Sequence, residues 1–241
     1  MGSYRNSHMD ASISKSYDDK FAYRVDSLIW DHFVKPFVRK TLRDAADGGA
    51  SRYLDFATGT GRVLKVGHQV FGSSTGIDIS ENMLEEARRR VPEAVLHRLD
   101  VTRDDVPELR EFDCVTMFRF LRNAEPELRS AVLDWLFSHM HPGGTLVVNN
   151  HGNSSSLRSL VARLAFWLPD EARNQISRDE TYAMLERAGF AVVSCQGFQI
   201  LPSVFGRPVL GRWLQIKAER LCRKLGLGRF GEELVVVARR K

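Results

Sequence analysis

The stretch Tyr53-Leu54-Asp55-Phe56-Ala57-Thr58-Gly59-Thr60-Gly61 constrains this chain more than any other. It begins as a short apolar run and ends in a turn that small residues make. Leu54 and Phe56 suit a buried strand, and Gly59 and Gly61 bracket a bend where backbone must come close to something. From Arg62 to Phe71, apolar residues at Val63, Leu64, Val66, Val70 and Phe71 fall on one face of a helix. Strand, glycine turn and helix open a nucleotide-binding α/β unit, with loop amides and a helix N-terminus facing the ligand.

An acidic residue follows at the distance such a unit requires. Thr75-Gly76-Ile77-Asp78-Ile79-Ser80 reads as a second strand ending in Asp78, whose carboxylate can accept both hydroxyls of a ribose. Leu64 stands where a dinucleotide fingerprint has its third glycine. A cofactor with a ribose and no pyrophosphate therefore fits better, and a dinucleotide oxidoreductase is the poorer reading.

The pattern repeats downstream. Ser80 is placed to cap a helix with acids in its first turn, ending near Arg90 before Pro92. Ala94–Val101 reads as a third strand, Asp104–Phe112 as loop or short helix, and Phe112–Phe118 as a fourth strand. Glu125–Met140 is helical, and Pro142-Gly143-Gly144 turns the chain into a fifth strand, Thr145–Asn150. Asp179–Ala188 is helical, Phe190–Ile200 a sixth strand, and Leu234–Ala238 the last. The expected fold is α/β: a doubly wound, Rossmann-like sheet of seven strands, mostly parallel, with helices on both faces. Ligands in such sheets bind at the carboxyl ends of the strands, which groups Gly59, Gly61, Asp78, Asp100, Phe118, Arg119 and Asn149–His151.

With 241 residues, 43% apolar and 27% charged, the chain can bury a core, and no apolar run is long enough to span a bilayer. Residues 1–9 read as an expression leader, with a natural start at Met9, and no apolar signal segment follows. Cys114, Cys195 and Cys222 are scattered and odd in number, which argues for a reducing, cytoplasmic compartment and against disulfides. The histidines never pair with Cys or Glu at ligand spacing, so no metal is expected.

Residues 10–50 precede the first strand. Phe21, Leu28, Ile29, Trp30, Phe33, Phe37 and Val38 have helical spacing, with Pro36 as a kink or break and residues 44–50 as a linker. Such a helix either packs on the core or forms a lid over the ligand. Two further amphipathic basic stretches, Leu157–Leu168 and Val209–Leu225, lie within residues 152–178 and 201–231. Their apolar faces pack on the domain, accept an apolar substrate, or rest on a membrane surface. The net charge of +5 is concentrated late in the chain, from Arg212 to Lys241.

Taken together, these residues resemble the class I S-adenosylmethionine-dependent methyltransferases. The resemblance rests on the Leu54–Gly61 loop, Gly76-Ile77-Asp78-Ile79-Ser80 with Met83, Leu99-Asp100-Val101, and His141-Pro142-Gly143-Gly144-Thr145-Leu146. It covers most of Arg52–Ala238, and Ala57 stands where the family's loop has its first glycine. Phe118-Arg119-Phe120-Leu121-Arg122-Asn123 and the Ser16-Tyr17-Asp18 opening are similar to ubiquinone/menaquinone C-methyltransferases. The resemblance implies S-adenosyl-L-methionine as cofactor and an antiparallel final strand. It implies that Ala57, Thr58, Gly59, Thr60 and Gly61 approach the methionine part, with Asp55 orienting that loop or meeting the amino group. Asp78 would hold the ribose, Ile79 and Met83 would sandwich the adenine, Asp100 would accept from its amine beside Val101, and Phe118 would line the methionine side.

The implied activity is methyl transfer to O, N or C of a small-molecule metabolite, hydrophobic or natural-product-like. Alignment supplies most of the catalysis in such a displacement, and a base is needed where the nucleophile arrives protonated. His151 is the leading base, with Tyr17 next and His32 weaker. Tyr23, Arg119 and Arg122 are candidates for substrate binding, the arginines through a carboxylate or phosphate. An RNA methyltransferase is the alternative suggested by charge, although no RNA-binding module interleaves the basic residues, so nucleic acid is disfavoured. A non-catalytic cofactor-binding subunit is a third reading. The oligomeric state is left open.

Overall fold

A computed structural model of the protein describes residues 25–104, 106, 109–164, 174–204 and 206–241. Tyr17 and Tyr23 lie outside the described residues. The helices are α1 (Val25–Ile29), α2 (Lys35–Asp47), α3 (Arg62–Phe71), α4 (Glu81–Arg90), α5 (Pro126–His139), α6 (Leu157–Leu164), α7 (Arg178–Arg187) and α8 (Arg212–Lys224). The strands are β1 (Tyr53–Phe56), β2 (Thr75–Asp78), β3 (Val95–Arg98), β4 (Phe112–Met117), β5 (Met140–Asn150), β6 (Phe190–Phe198), the short hairpin β7 (Ser203–Val204) and β8 (Arg207–Pro208), and β9 (Glu233–Arg240).

Seven strands form one sheet in the order β3-β2-β1-β4-β5-β9-β6. The first five run parallel, and β9 is antiparallel to both β5 and β6. This is the expected Rossmann-like sheet, with its last strand inserted between β5 and β6. Successive residues of a strand point to opposite faces, so neighbours divide between two cores. Tyr53, Cys114, Val147 and Val235 pack under α1, α2 and α3 with Leu28, Val38, Leu42 and Leu64. Leu54, Val115, Leu146 and Val236 pack on the other face under α5 and α7 with Val132, Leu133, Leu136 and Leu185.

Several boundaries differ from expectation, each for a local reason. Pro36 does not break the N-terminal helix. It sits in the first turn of α2, where its missing N–H costs nothing, and a single wide turn over Trp30–Val34 joins α1 to α2. The helix then runs to Asp47, four residues into the expected linker. β3 stops at Arg98, and Leu99–Val101 leaves the sheet into a turn. Pro142-Gly143-Gly144 is absorbed into β5 as a register shift against β4 between Phe112 and Cys114. Ser80 caps α4 as expected, its hydroxyl accepting the Met83 amide at 3.4 Å.

The amphipathic stretch within 201–231 is helical over Arg212–Lys224, and its polar side is the buried one. Gln215 and Glu219 are fully buried, while Trp213, Leu214 and Leu221 face outward. Glu219 accounts for this inversion, because its carboxylate accepts the Ile200 amide at 3.0 Å and the Leu201 amide at 3.4 Å where β6 ends.

Candidate cofactor and acceptor site

The loop after β1 rises from a buried carboxyl group. Asp55 is 1% exposed, and its Oδ1 accepts the Thr116 hydroxyl at 2.6 Å. Thr116 in turn lies 2.7 Å from the Tyr53 hydroxyl, which donates because the threonine proton is already committed. Asp55 Oδ2 is buried and has no hydrogen-bond partner. Burial pushes the Asp55 carboxyl up to about 8, with the nearby Asp78 charge adding to the rise and the Thr116 hydroxyl opposing it.

The loop above it is built from left-handed backbone. Ala57, Gly59 and Gly61 have φ values of 54°, 55° and 77°. At Gly61, a Cβ would sit 3.0 Å from the Cα of Ala87 on α4, so this position also demands close helix approach. Gly59 faces open space instead, with nothing within 4 Å of a built Cβ. The Asp78 carboxylate fastens the loop from the side, Oδ2 accepting the Gly59 amide at 2.8 Å and Oδ1 the Ser80 amide at 2.9 Å.

Other expected cofactor residues surround this loop. Ile79 is half-buried at the end of β2, and Met83 is buried one turn into α4. Asp100 and Val101 lie in the turn after β3, where the Asp100 carboxylate accepts the Thr102 amide at 3.1 Å and hydroxyl at 2.7 Å. Phe118 is buried at the end of β4, edge-on to Trp30 with centroids 6.3 Å apart. Trp30 is covered by Arg62, whose guanidinium carbon lies 4.4 Å from the ring centroid. The turn between α1 and α2 therefore reaches the carboxyl edge of the sheet.

Beside it lies a charged cluster. Asn149 on β5 accepts the Arg119 amide at 3.2 Å and donates to Glu233 on β9 at 2.7 Å. Arg119 has a φ of 56° and approaches Asp26 of α1 at 4.0 Å. Burial pushes the Glu233 carboxyl above the usual range, while the Arg119 and Arg62 charges hold it down. Arg122 reaches the His151 carbonyl at 3.5 Å, and Glu232 pairs with Arg158. His151 Nδ1 is buried and without a hydrogen-bond partner. Burial, together with the Arg119 and Arg122 charges, holds its imidazole well below its ordinary value, so the ring is neutral at working pH.

The structure thus brings together the loop residues, Asp78, Phe118, Arg119, Arg122 and His151 at one edge. His32 sits apart, exposed in the turn between α1 and α2. Sequence reasoning missed Asp26, Arg62, Glu232 and Glu233, which come from distant segments. The signal for Glu233 was topological: an antiparallel last strand starts where its parallel neighbour ends.

A methyltransferase-domain family model matches residues 30–195. The chain belongs to the methyltransferase-domain family. Among curated members, it is 41% identical over 103 residues to a dTDP-3-amino-3,4,6-trideoxy-alpha-D-glucopyranose N,N-dimethyltransferase of Streptomyces venezuelae, covering 41% of this chain and 42% of that one. It is 34% identical over 121 residues to a ubiquinone/menaquinone biosynthesis C-methyltransferase of Desulfotalea psychrophila, covering 49% and 46%. The matches span less than half the length of these relatives. Among solved structures, magnesium protoporphyrin IX methyltransferase from Synechocystis PCC 6803, with bound SAH, superposes with a TM-score of 0.64 at 16% identity over 99% of this chain and 100% of that one. That likeness extends the methyltransferase fold over nearly the whole chain. No helix of the described residues is long and apolar enough to cross a membrane.

Proposed function

We propose that this methyltransferase-domain protein uses S-adenosyl-L-methionine to methylate O, N or C of a small-molecule acceptor. The carrying observation is the loop itself: an orphaned Asp55 oxygen beneath it, an open face at Gly59, and the Asp78 carboxylate beside it. These features fit the cofactor. The Asp55 oxygen answers an ammonium, the glycine leaves room for close backbone approach, and Asp78 answers ribose hydroxyls. Ile79 and Met83 supply apolar walls for the adenine, Asp100 and Val101 its polar edge, and Phe118 the side of the methionine chain.

When bound, the cofactor supplies an electrophilic methyl on a sulfonium. The protein's own residues then hold the acceptor in line and exclude water. Trp30 and Phe118 make the dry side of that space. His151 takes the acceptor's proton. A base held low beside Arg119 and Arg122 is a weak one, which suits an amine that attacks through its lone pair and releases its proton afterwards. Arg119 and Arg122 face an anionic part of the acceptor, such as a phosphate or carboxylate, and the relative acting on a dTDP-linked amino sugar supports that class.

Transfer of labelled methyl to a panel of amine, hydroxyl and quinol acceptors tests the reading. Label in an acceptor, lost in His151→Asn, supports it. Binding of S-adenosylhomocysteine with no transfer to any acceptor would replace it with a non-catalytic cofactor-binding subunit.

A further inference from the structure

The inverted helix α8 is a second, separate feature. A helix on a protein surface normally buries its apolar stripe. In α8 the fully buried residues are Gln215 and Glu219, and the apolar side chains Trp213, Leu214 and Leu221 are 64%, 51% and 57% exposed. The same character continues beyond both ends, at Val209 and Leu210 before the helix and Leu225 and Leu227 after it. At about 100° per residue, Arg220, Trp213, Lys224, Lys217, Leu221 and Leu214 follow one another around an arc of about 120°. Basic residues occupy one side of this arc and leucines the other.

The charge on this face has a single sign. Arg212, Lys217, Arg220 and Lys224 are all exposed, and the helix's one acid, Glu219, is spent on the amides of Ile200 and Leu201. Lys217 also lies over the Trp213 ring, its Nζ 3.6 Å from the centroid, so the ammonium and the indole are presented side by side. Among the described residues nothing covers this surface. A second copy of the chain would set its basic residues against their own kind. An acidic, apolar-cored surface satisfies both halves of the arc at once.

We propose that α8 is an interfacial helix that docks the protein on an anionic phospholipid surface, with Trp213, Leu214 and Leu221 entering the headgroup–acyl boundary and the lysines and arginines meeting lipid phosphates. The helix packs against β6 and against α1, the segment that carries Asp26 to Arg119. Docking therefore lays the lipid surface close to the elements that frame the acceptor cleft. The proposal rests on α8 alone and stands whether or not the acceptor class above is correct.

Co-sedimentation of the full chain with vesicles tests it. Binding is expected to vesicles of phosphatidylcholine with phosphatidylglycerol, not to phosphatidylcholine alone, and to weaken as salt rises. The triple variant Trp213→Ser, Leu214→Ser, Leu221→Ser and the double variant Lys217→Glu, Lys224→Glu each weaken binding at least about tenfold. Both retain the wild-type melting temperature, since every altered side chain is exposed. Equal binding to neutral vesicles, no binding to anionic ones, or retention in the triple variant would overturn the proposal. So would a concentration-dependent dimer that the triple variant dissolves, because the face would then belong to a second copy.

Discussion

The Asp78 carboxylate accepts the amide of Gly59 at 2.8 Å, joining the end of β2 to the loop after β1 across nineteen residues of sequence. The same carboxylate holds the Ser80 amide through its other oxygen at 2.9 Å. One side chain therefore sets both the glycine loop and the start of α4, and a ligand seated between them meets a surface already in place.

Backbone strain in that loop is measurable. Ala57 is an L-residue at φ 54°, a conformation that costs it about 1–2 kcal/mol. Ala57→Gly should leave stability unchanged or raise it by up to about 1 kcal/mol, the relief being offset by unfolded-state entropy. Gly59→Ala, at φ 55°, should lose about 1 kcal/mol and place a methyl in the ligand's space. Urea denaturation of the two variants, with S-adenosylhomocysteine titrations alongside, checks both.

Asp55 gives the fold a pH dependence. Its carboxyl is at about 8 in the folded state against 3.8 ordinarily, so the folded protein binds the extra proton. Stability from this group is complete below the ordinary value and is lost as pH rises through about 8. Asp55→Asn should flatten that slope and stabilise the ligand-free protein at pH 8 by roughly 1–3 kcal/mol. It should also weaken cofactor binding, which a melting series from acid to alkaline pH with and without S-adenosylhomocysteine would show.

His151 predicts the acid limb of the rate. Burial and the Arg119 and Arg122 charges hold its imidazole below 6.5, so kcat/KM should be flat through neutrality and fall only in more acid solution. His151→Asn should lower kcat about a hundredfold with little change in cofactor affinity, and should remove that limb. An unchanged rate would leave His151 without a chemical role.

A packing test is available at Gly67. A Cβ there would lie 2.0 Å from the Tyr53 ring, which also stacks on Phe71. The helix gains about 1 kcal/mol from Ala, but the clash outweighs it, so Gly67→Ala should destabilise by about 2 kcal/mol or more. Thermal melting of that variant checks it.

What could be read in advance follows from how locally each feature is specified. Leu54–Gly61 and Gly76–Ser80 carry their conformation within a few residues, through apolar alternation, glycine and a capping serine, and the structure forms both. The mostly parallel sheet was legible because alternating strands and helices leave few arrangements. Glu233 and Asp26 were not legible as site residues, since their meeting with Asn149 and Arg119 depends on chain folding over long separations. The orientation of α8 was left open for a related reason. Its spacing announces an apolar face, but the capture of two β6-end amides by Glu219 decides which way that face turns, and no periodicity encodes it.

The most direct test is a calorimetric titration of S-adenosylhomocysteine into the wild-type protein and into Asp78→Ala, with NAD as the control ligand. The account predicts saturable one-site binding to wild type, a loss of at least about tenfold in Asp78→Ala, and no heat from NAD. Wild-type affinity in Asp78→Ala, or binding of NAD in place of S-adenosylhomocysteine, would contradict it.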